Sequence, residues 1–518
     1  MEALEPIQIR SRMPLRSRLI TLAIIAVYAS VMACTNTRFT ILDDESTHIV
    51  NSARPVLPVL QHFFTGAGSR VMHPPASEIL LHLWLVATHD SFFALRIFAN
   101  IFYIAGVCFT ALSAEKIGGR DAYWVTLVLG FVWPFAFQYG RITGWYCPSF
   151  FLISLLTWAY LHLHEGEGCR PWIAFGIVSV LLVWTNYFGF AILFLLLADL
   201  LIFHRNLAAT HIRSLLAVMG IVVLAFLPVL KIALPDLAGY AAPVAARMDW
   251  KNEIASAGYP AFAIFGSTAV APWYLPLSVP IFVAVAGLFV FAWFSKGRKW
   301  LIYIVLTMVI LQISGQMDVK RVLFLTPWLF LAMGLAAGDS TSRHPRLAFS
   351  ALAVIVACGW VGIASGKHYA TANLYEPWGK VAEVVAQDAR KGATIVGGNP
   401  SFFLYLDYQL GLQSETGAAP GTYMGEDLYR SHGYKILEAY DLQTEPMSFR
   451  GKVVNVIGPI SQDELLFQNA LNERLRMRCN VVGEYRAAPD PAAALKARFS
   501  RYAPVLAYRT DVTWFNCP

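Results

Sequence analysis

Eleven stretches of this sequence are almost entirely apolar over 15 to 23 consecutive residues. A helix needs about 20 apolar residues to cross the hydrocarbon core of a bilayer. The stretches lie near residues 19–37, 92–114, 121–139, 146–163, 172–186, 188–203, 212–232, 274–295, 299–314, 321–338 and 347–366. The sequence therefore predicts a polytopic α-helical membrane protein with about 11 transmembrane helices.

The composition of the 518 residues agrees with this prediction. Hydrophobic residues make up 57% and charged residues 14% of the chain, whereas soluble domains are about 45–50% apolar and about 25% charged. The net charge of +7 is modest and does not indicate a nucleic-acid partner. No Gly-rich phosphate-binding motif stands between a strand and a helix, so neither a nucleotide-driven transporter nor a Rossmann enzyme is indicated.

Basic residues in the loops predict the orientation in the membrane. Four arginines between residues 10 and 18 precede the first apolar stretch, and no small-residue cleavage site follows it, which favours an uncleaved signal anchor with a cytoplasmic N-terminus. When the sides alternate, every predicted inner loop carries Lys or Arg. These loops are Glu115–Arg120, His164–Arg170, His204–Arg213, Ser295–Lys299 and Gly338–Arg346. An odd number of spans then places the C-terminal region outside the cell.

Two regions are predicted from this pattern. Residues 1–366 form the transmembrane bundle, with outer loops 35–91 and 234–271, and residues 367–518 form a small extracytoplasmic α/β domain. The apolar segment Ala76–His89 is too short to span and is predicted to lie at the outer membrane surface. In the C-terminal region, the sequence predicts an amphipathic helix over Trp378–Lys391 and short strands over Ala393–Val396 and Val453–Ile457.

Three acids follow the first span directly: Asp43, Asp44 and Glu45. Carboxylates at this depth cost free energy unless they are solvated or paired, so they are functional candidates. One of them can act as a general base on a hydroxyl or amine acceptor. Two further interpretations remain open, namely a helix cap and oxygen ligands for a divalent cation.

Two further residues of the first outer region are candidates for substrate binding. His73 precedes two prolines, and either contacts a phosphate or sugar or simply belongs to a rigid entry into the surface helix. Arg96 lies about one turn inside the second span. Its side chain either extends to the membrane surface or pairs with an acid of the outer loop.

Three cations oppose the positive-inside trend because they are predicted on the outer side: Arg141, Lys320 and Arg321. Cations at headgroup depth are suited to a lipid phosphate, although pairing with Asp318 or with lipid headgroups is a comparable interpretation. Tyr146 is one of several aromatic residues on this side, which either form the interfacial belt or stack on a sugar ring.

The seven cysteines show no zinc-binding spacing. Cys34, Cys108 and Cys358 lie in the apolar stretches and are expected to be small apolar residues inside membrane spans. Cys479 and Cys517 share the C-terminal region and would pair only in an oxidising compartment. Their pairing remains open at this point.

The order of these features resembles a known family. The features are the acids after the first span, His73-Pro74-Pro75, the segment Asp90–Arg96, Arg141 with Trp145-Tyr146, the segment Lys320–Trp328, and the helix that opens at Trp378. The chain is similar over nearly its whole length to the polyprenyl-phosphate-dependent glycosyltransferases of the GT-C fold. This group includes protein O-mannosyltransferases (glycosyltransferase family 39), aminoarabinose transferases and rhizobial lipopolysaccharide core transferases.

The resemblance implies an enzyme that moves a sugar from a polyprenyl-phosphate donor to a lipid, glycan or protein acceptor on the outer face, with inversion. It implies Asp44 as general base, with Glu45 and then Asp43 as the next candidates. It places Arg141, Lys320 and Arg321 against the leaving phosphate. Some relatives carry a second acid near the arginine, which is missing from Gly140–Tyr146. We therefore expect a metal-independent reaction without a cofactor, and a divalent cation is not favoured.

Two alternatives come from other functional classes. A transporter or flippase of a lipid-linked substrate favours charges at mid-membrane and an inverted repeat, and neither is visible in the sequence. A non-catalytic envelope scaffold requires neither the acids nor the outward cations.

Overall fold

The computed structural model describes most of the chain. The described residues are 14–36, 43–53, 56–65, 74–88, 92–164, 168–245, 250–267, 270, 272, 274–314, 317, 319–365, 378–412, 426–439, 442, 449–458, 462–486 and 510–518. Within these ranges the structure does not describe every side chain. Those of Asp43, Asp44 and the residues between 231 and 256 are among the ones it leaves out. His73 also lies outside the described residues.

The described residues in the first two thirds of the chain are almost entirely helical. Their bounds are α1 Leu15–Thr35, α2 Asp43–Ala53, α3 Val56–Thr65, α4 Ala76–Thr88, α5 Phe92–Gly118, α6 Arg120–Val132, α7 Pro134–Tyr139, α8 Tyr146–His162, α9 Arg170–Thr185, α10 Gly189–Phe203, α11 Arg205–Thr210, α12 Ile212–Ala245, α13 Trp250–Gly266, α14 Leu275–Trp293, α15 Arg298–Ile313, a 3₁₀ segment Arg321–Leu325, α16 Thr326–Gly338 and α17 Pro345–Ser365. Each predicted apolar stretch coincides with one or two of these helices.

Six of the described helices are long and apolar enough to cross a membrane by themselves. They are α1, α5, the first part of α12, α14, the 3₁₀ segment with α16, and α17. The polytopic membrane architecture is thus confirmed, whereas the count of 11 spans is not. The predicted second outer loop, residues 234–271, contains the end of α12 and all of α13.

Local chemistry explains two breaks in the helices. The stretch predicted at 121–139 is interrupted at Trp133, whose backbone is extended because Pro134 follows and disfavours the helical conformation before it. Between α9 and α10, Asn186 is also extended, and its Oδ1 accepts a hydrogen bond of 2.9 Å from the Phe188 N–H. The two apolar stretches on either side of Asn186 are therefore separate helices.

The centre of the bundle is α16, in which all thirteen residues are buried. Small residues allow it to approach α6 closely. A Cβ atom at Gly334 would lie 1.9 Å from Thr126 Oγ1, and one at Gly338 would lie 2.6 Å from the Ala122 backbone. Gly334 and Gly338 are four residues apart, which is the small-residue spacing that brings membrane helices into backbone contact.

The C-terminal region contains a five-stranded sheet with four described helices. The bounds are α18 Trp378–Arg390, β1 Thr394–Gly397, α19 Pro400–Leu410, α20 Glu426–Ser431, β2 Lys435–Glu438, β3 Gly451–Ile457, α21 Gln462–Arg478, β4 Asn480–Arg486 and β5 Asp511–Cys517. The strand order is β2-β1-β3-β5-β4, in which the first three strands are parallel and β5 pairs antiparallel with β3 and β4. The predicted helix and both predicted strands are present.

The two faces of this sheet are covered by different helices. Helices α18 and α19 pack on one face, and the side chains of Leu471 and Leu475 in α21 pack on the other. The sulfur atoms of Cys479 and Cys517 are bonded to each other, so these two cysteines pair. The bond joins the start of β4 to the end of β5.

Candidate active site

The predicted catalytic acids lie at the start of α2. Negative charge is favourable at a helix N-terminus, which explains why the helix begins at the acidic segment. Glu45, Ser46, His48 and Ile49 are buried, so one face of this short helix packs into the protein. Asp43 and Asp44 precede Glu45 directly on the helix, and their side chains are not described.

Glu45 is fully buried, and donors from two other segments of the chain contact it. The guanidinium of Arg96, about one turn into α5, donates to Glu45 Oε1. The backbone N–H of Thr143 donates to the same oxygen at 2.6 Å. Because a buried carboxylate is costly unless it is paired and hydrogen-bonded, these contacts fix α2 against the bundle. Of the two predicted environments of Arg96, the structure shows pairing with a loop acid.

Arg96 also connects α5 to the turn between α7 and α8, residues 140–145. Its Nη1 donates to the Arg141 carbonyl oxygen at 2.8 Å. In the same turn, Thr143 Oγ1 donates to the Leu95 carbonyl oxygen at 3.2 Å. Glu45, Arg96 and the 140–145 turn therefore form one connected polar cluster at one end of the bundle.

The side chain of Arg141 is directed into the bundle and is 1% exposed. Its Nε donates to the Phe137 carbonyl oxygen at 3.0 Å, and its Nη1 donates to Thr35 Oγ1 at 3.1 Å. The guanidinium carbon lies 4.4 Å from the centre of the Phe137 ring, at cation–π distance. Arg141 thus joins the 140–145 turn to the end of α1.

The other predicted binding residues that the structure describes lie at the starts of α8 and of the 3₁₀ segment. Tyr146 is buried and stacks on Trp145, with ring centres 4.1 Å apart. Lys320 and Arg321 are half-buried. They lie at the start of the 3₁₀ segment, which packs against α8, the helix that opens at Tyr146. The side chains of Lys320 and Arg321 are therefore more accessible than that of Arg141.

His48 and Glu78 belong to this region and were missed by the sequence analysis. His48 is buried one helical turn after Glu45, and its Nδ1 lies 3.6 Å from Oε1 of Glu78 in α4. Gly144 is in contact with this histidine, because a Cβ atom at Gly144 would lie 2.8 Å from His48 Cδ2. The three-residue spacing of Glu45 and His48 on α2 is the sequence signal that could have identified the histidine.

The C-terminal region contacts the same short helix. Leu404 of α19 is buried among Ile49, Leu81, Leu95 and Phe98, which come from α2, α4 and α5. Ser401 Oγ lies 3.4 Å from Ser46 Oγ, next to Glu45 in the chain. The C-terminal region is therefore packed against the helix that carries the acids.

Among the described side chains, no three His, Cys, Asp or Glu residues come together as ligands for a metal ion. The side chains of Asp43 and Asp44, which are the nearest further carboxylates along the chain, lie outside that set.

A second charged cluster lies at the other end of the bundle, near the end of α5. From Arg96 to Ile117 that helix rises about 30 Å. Asp199 in α10 pairs with Lys299 in α15 and accepts a hydrogen bond from the Tyr160 hydroxyl of α8. His204 Nε2 lies 3.6 Å from Asp199 Oδ2, and the rings of His204 and His164 are 4.4 Å apart. The basic loops meet at this end, as shown by Lys296 Nζ donating to the Ile117 carbonyl oxygen at 3.3 Å.

Comparison with known proteins identifies the fold. No family profile and no curated protein sequence matches the chain. Two crystal structures of ArnT from Cupriavidus metallidurans are similar over nearly the whole chain, each with 12% sequence identity and a TM-score of 0.53. The apo form covers 96% of this chain and 98% of its own, and the form bound to undecaprenyl phosphate covers 97% and 98%. The predicted GT-C-like fold is therefore confirmed.

Proposed function

We propose that this protein is a membrane glycosyltransferase that transfers a sugar from a polyprenyl-phosphate carrier to an acceptor. The observation that carries the proposal is the fold, which the chain shares from end to end with ArnT, an aminoarabinose transferase, including the form bound to undecaprenyl phosphate. The acidic start of α2, held in place by the buried Glu45–Arg96 pair, is the chemical feature that supports it.

The contacts of Glu45 support different roles for the three acids. The guanidinium of Arg96 and the Thr143 N–H both donate to Glu45 Oε1, so this residue is suited to positioning α2 rather than to accepting a proton. We assign the general base to Asp44, one residue earlier in the same helix, and of the two other predicted candidates these contacts favour Asp43 over Glu45. The base would accept the proton of the acceptor hydroxyl or amine.

In the proposed reaction the deprotonated acceptor attacks the anomeric carbon from the face opposite the phosphate. The new glycosidic bond forms as the bond to the phosphate oxygen breaks, so the configuration inverts. The electron pair of the broken bond leaves with the polyprenyl phosphate. Cations stabilise the negative charge that develops there. We propose that this needs no divalent cation.

The accessibility of the cations supports different roles for them at the phosphate. Lys320 and Arg321 are half-buried and are proposed to contact the phosphate directly, with His73 as a further contact. Arg96 and Arg141 are buried and occupied by groups of α1, α2 and α7. They are proposed to position the site and to contribute positive potential, while Tyr146 stacks on Trp145 at the end of the 140–145 turn.

We further propose that the protein is a multi-pass protein of the bacterial inner membrane, with the N-terminus in the cytoplasm and the C-terminal region outside. The basic loops meet at one end of the bundle, and the acids and the C-terminal region lie at the other, which is the arrangement the positive-inside rule favours. The Cys479–Cys517 bond in the C-terminal region is consistent with an oxidising compartment.

The test uses purified protein in lipid nanodiscs with a panel of radiolabelled polyprenyl-phosphate sugars and a membrane-lipid extract as acceptor. Asp44→Asn should lose about 10²-fold or more of transfer while still binding the donor. The double variant Lys320→Gln/Arg321→Gln should bind the donor more weakly. Asp121→Asn, an exposed acid at the start of α6, is the matched control and should behave as wild type.

Two results would contradict the proposal at different levels. If no polyprenyl-phosphate sugar binds to the wild type, the transferase function is wrong, and a transporter or scaffold becomes the better hypothesis. If donor is cleaved and transferred equally well by Asp44→Asn, the function stands and the assignment of the base is wrong. Turnover that disappears with EDTA and returns with Mg²⁺ would overturn the metal-independent mechanism.

A further inference from the structure

The surface of the bundle has a wholly apolar groove between α14 and α15. Its volume is about 390 Å³, near the lower end of the range of about 300–1,000 Å³ for ligand pockets. The groove is lined by Phe289, Val290 and Trp293 of α14, by Phe294 directly after it, and by Leu301, Ile302, Val305 and Leu306 of α15. Many of these side chains are exposed, as is typical of a surface in contact with lipid acyl chains.

Two arginines stand at one end of this groove. The guanidinium carbon of Arg298 lies 5.8 Å from the centre of the Trp293 ring, and that of Arg343 lies 5.8 Å from the centre of the Phe294 ring. Both rings also line the groove. Two positive charges are thus separated from the apolar groove by the width of one aromatic ring.

These arginines differ from the neighbouring lysines in their partners. Lys296 lies 3.7 Å from a carboxylate oxygen of Asp339, and Lys299 pairs with Asp199. Among the residues that the structure describes, neither Arg298 nor Arg343 pairs with a carboxylate, and both are exposed. Their charge is therefore available to an anion at the membrane surface.

We infer that this groove and its two arginines form a binding site for an anionic phospholipid. The phosphate lies against Arg298 and Arg343, and one acyl chain lies in the groove between α14 and α15. In a bilayer the groove itself gives little selectivity, because lipid tails are as apolar as its lining. Selectivity must come from the headgroup charge, and basic pockets between membrane helices are suited to anionic headgroups.

The site is separate from the proposed transferase site. The groove and its arginines lie at the end of the bundle where the basic loops meet, since Lys296 in the α14–α15 turn contacts Ile117 and Lys299 at the start of α15 pairs with Asp199. The acids of α2 lie at the opposite end. The inference consequently does not depend on the transferase function and can be tested without it.

The test is native mass spectrometry of the full chain released from nanodiscs that contain equal amounts of phosphatidylglycerol and phosphatidylcholine. Wild type should retain phosphatidylglycerol in preference to phosphatidylcholine. Each arginine is expected to contribute about a fivefold preference, so Arg298→Gln/Arg343→Gln should lose most of it. Arg298→Lys/Arg343→Lys should keep most of it because the charge remains.

Two further variants distinguish binding at this site from nonspecific binding by basic residues and from the effects of misfolding. Arg170→Gln/Arg213→Gln removes two exposed charges at the starts of α9 and α12 and should leave the preference unchanged. Ile302→Trp fills the groove without changing the charge and should reduce the number of retained phosphatidylglycerol molecules. The inference is wrong if wild type shows no preference, if the Arg170/Arg213 variant loses as much as the Arg298/Arg343 variant, or if Ile302→Trp has no effect.

Discussion

The two ends of the helical bundle place a buried carboxylate beside a cation, but they build the pair from different elements. At one end, Glu45 comes from the short helix α2 and is held by Arg96 and by the backbone of the 140–145 turn. At the other, Asp199 and Lys299 come from two helices of the bundle, α10 and α15, with Tyr160 from a third. The first cluster fixes loops around the proposed site, whereas the second joins helices to one another.

This difference separates activity from stability. Loss of either pair removes the compensation of a buried charge, so both should lower the free energy of unfolding. Only the first pair positions the acids of α2, so only its loss should also lower activity per folded molecule. The following changes test that separation.

The largest effect is expected for Arg96→Met. It leaves Glu45 buried without its cation, and removal of one partner of a buried pair typically costs about 3–5 kcal/mol. Unfolding in mixed micelles with increasing SDS should show this loss, and the folded fraction should transfer little or no sugar. The double variant Glu45→Gln/Arg96→Met should recover much of the stability and none of the activity. Equal stability of the two variants would show that the pair is not coupled.

Asp199→Asn should have the next largest effect on stability. It removes the carboxylate from Lys299, whose side chain is about one third exposed, so the expected loss is about 1–3 kcal/mol. Transfer per folded molecule should match the wild type, because the change lies at the end of the bundle away from the acids. A fall in activity comparable with that of Arg96→Met would abolish the distinction between the two ends.

Gly144→Ala should have a smaller effect at the first end. Gly144 has φ of +119°, and an added Cβ atom would also lie 2.8 Å from His48. Gly168 is the matched control, because its φ is +120° and nothing lies within 4 Å of an added Cβ atom. Both variants should lose about 1–2 kcal/mol from the backbone conformation. Gly144→Ala should lose more and should also lower transfer activity, which Gly168→Ala should leave unchanged.

The smallest effect is a pH dependence at the second end. Burial lowers the pKa of His164 to about 4, with further lowering by His204 and Lys299 and an opposing contribution from Asp199. Below about pH 6.5 the unfolded chain binds a proton that the folded protein does not. The neutral, buried His164 therefore makes its full contribution to the free energy of unfolding above that pH, and this contribution is lost as the pH falls toward 4.

The measurement is the midpoint of thermal unfolding between pH 7.5 and pH 5. The midpoint of the wild type should fall with pH, and that of His164→Gln should fall less. The pKa of neighbouring His204 is also lowered by burial, so part of the dependence should remain in that variant. His432→Gln, which removes an exposed histidine in the C-terminal region, should keep the slope of the wild type. A wild-type midpoint that rises as the pH falls would reverse the sign assigned here.

Much of the secondary structure followed from the sequence. The stretch predicted at 146–163 is a helix over Tyr146–His162, and the one at 212–232 begins a helix at Ile212. The surface segment predicted at 76–89 is a helix over Ala76–Thr88. Length and apolar pattern are local properties, so they can be read without knowledge of neighbouring elements. The break before Pro134 was missed because the apolar pattern continues through it.

The site was only partly predictable. The sequence placed Glu45, Arg96 and Arg141 among the candidates, and the structure brings these three residues into one cluster. It did not identify Thr143, His48 or Glu78, because each acts through a contact with a distant segment. It also did not distinguish the buried Arg141 from the half-buried Lys320 and Arg321.

The sequence by itself determined that the chain is a bundle of membrane helices with a small α/β region, and that acids follow the first helix. These properties depend on runs of like residues and on the charge of short loops. Tertiary structure alone decided that Arg96 pairs with Glu45, which is 51 residues away, and that Arg141 faces the end of α1. The physical reason is that the cost of a buried charge depends on which groups packing brings next to it, and sequence separation carries no information about that.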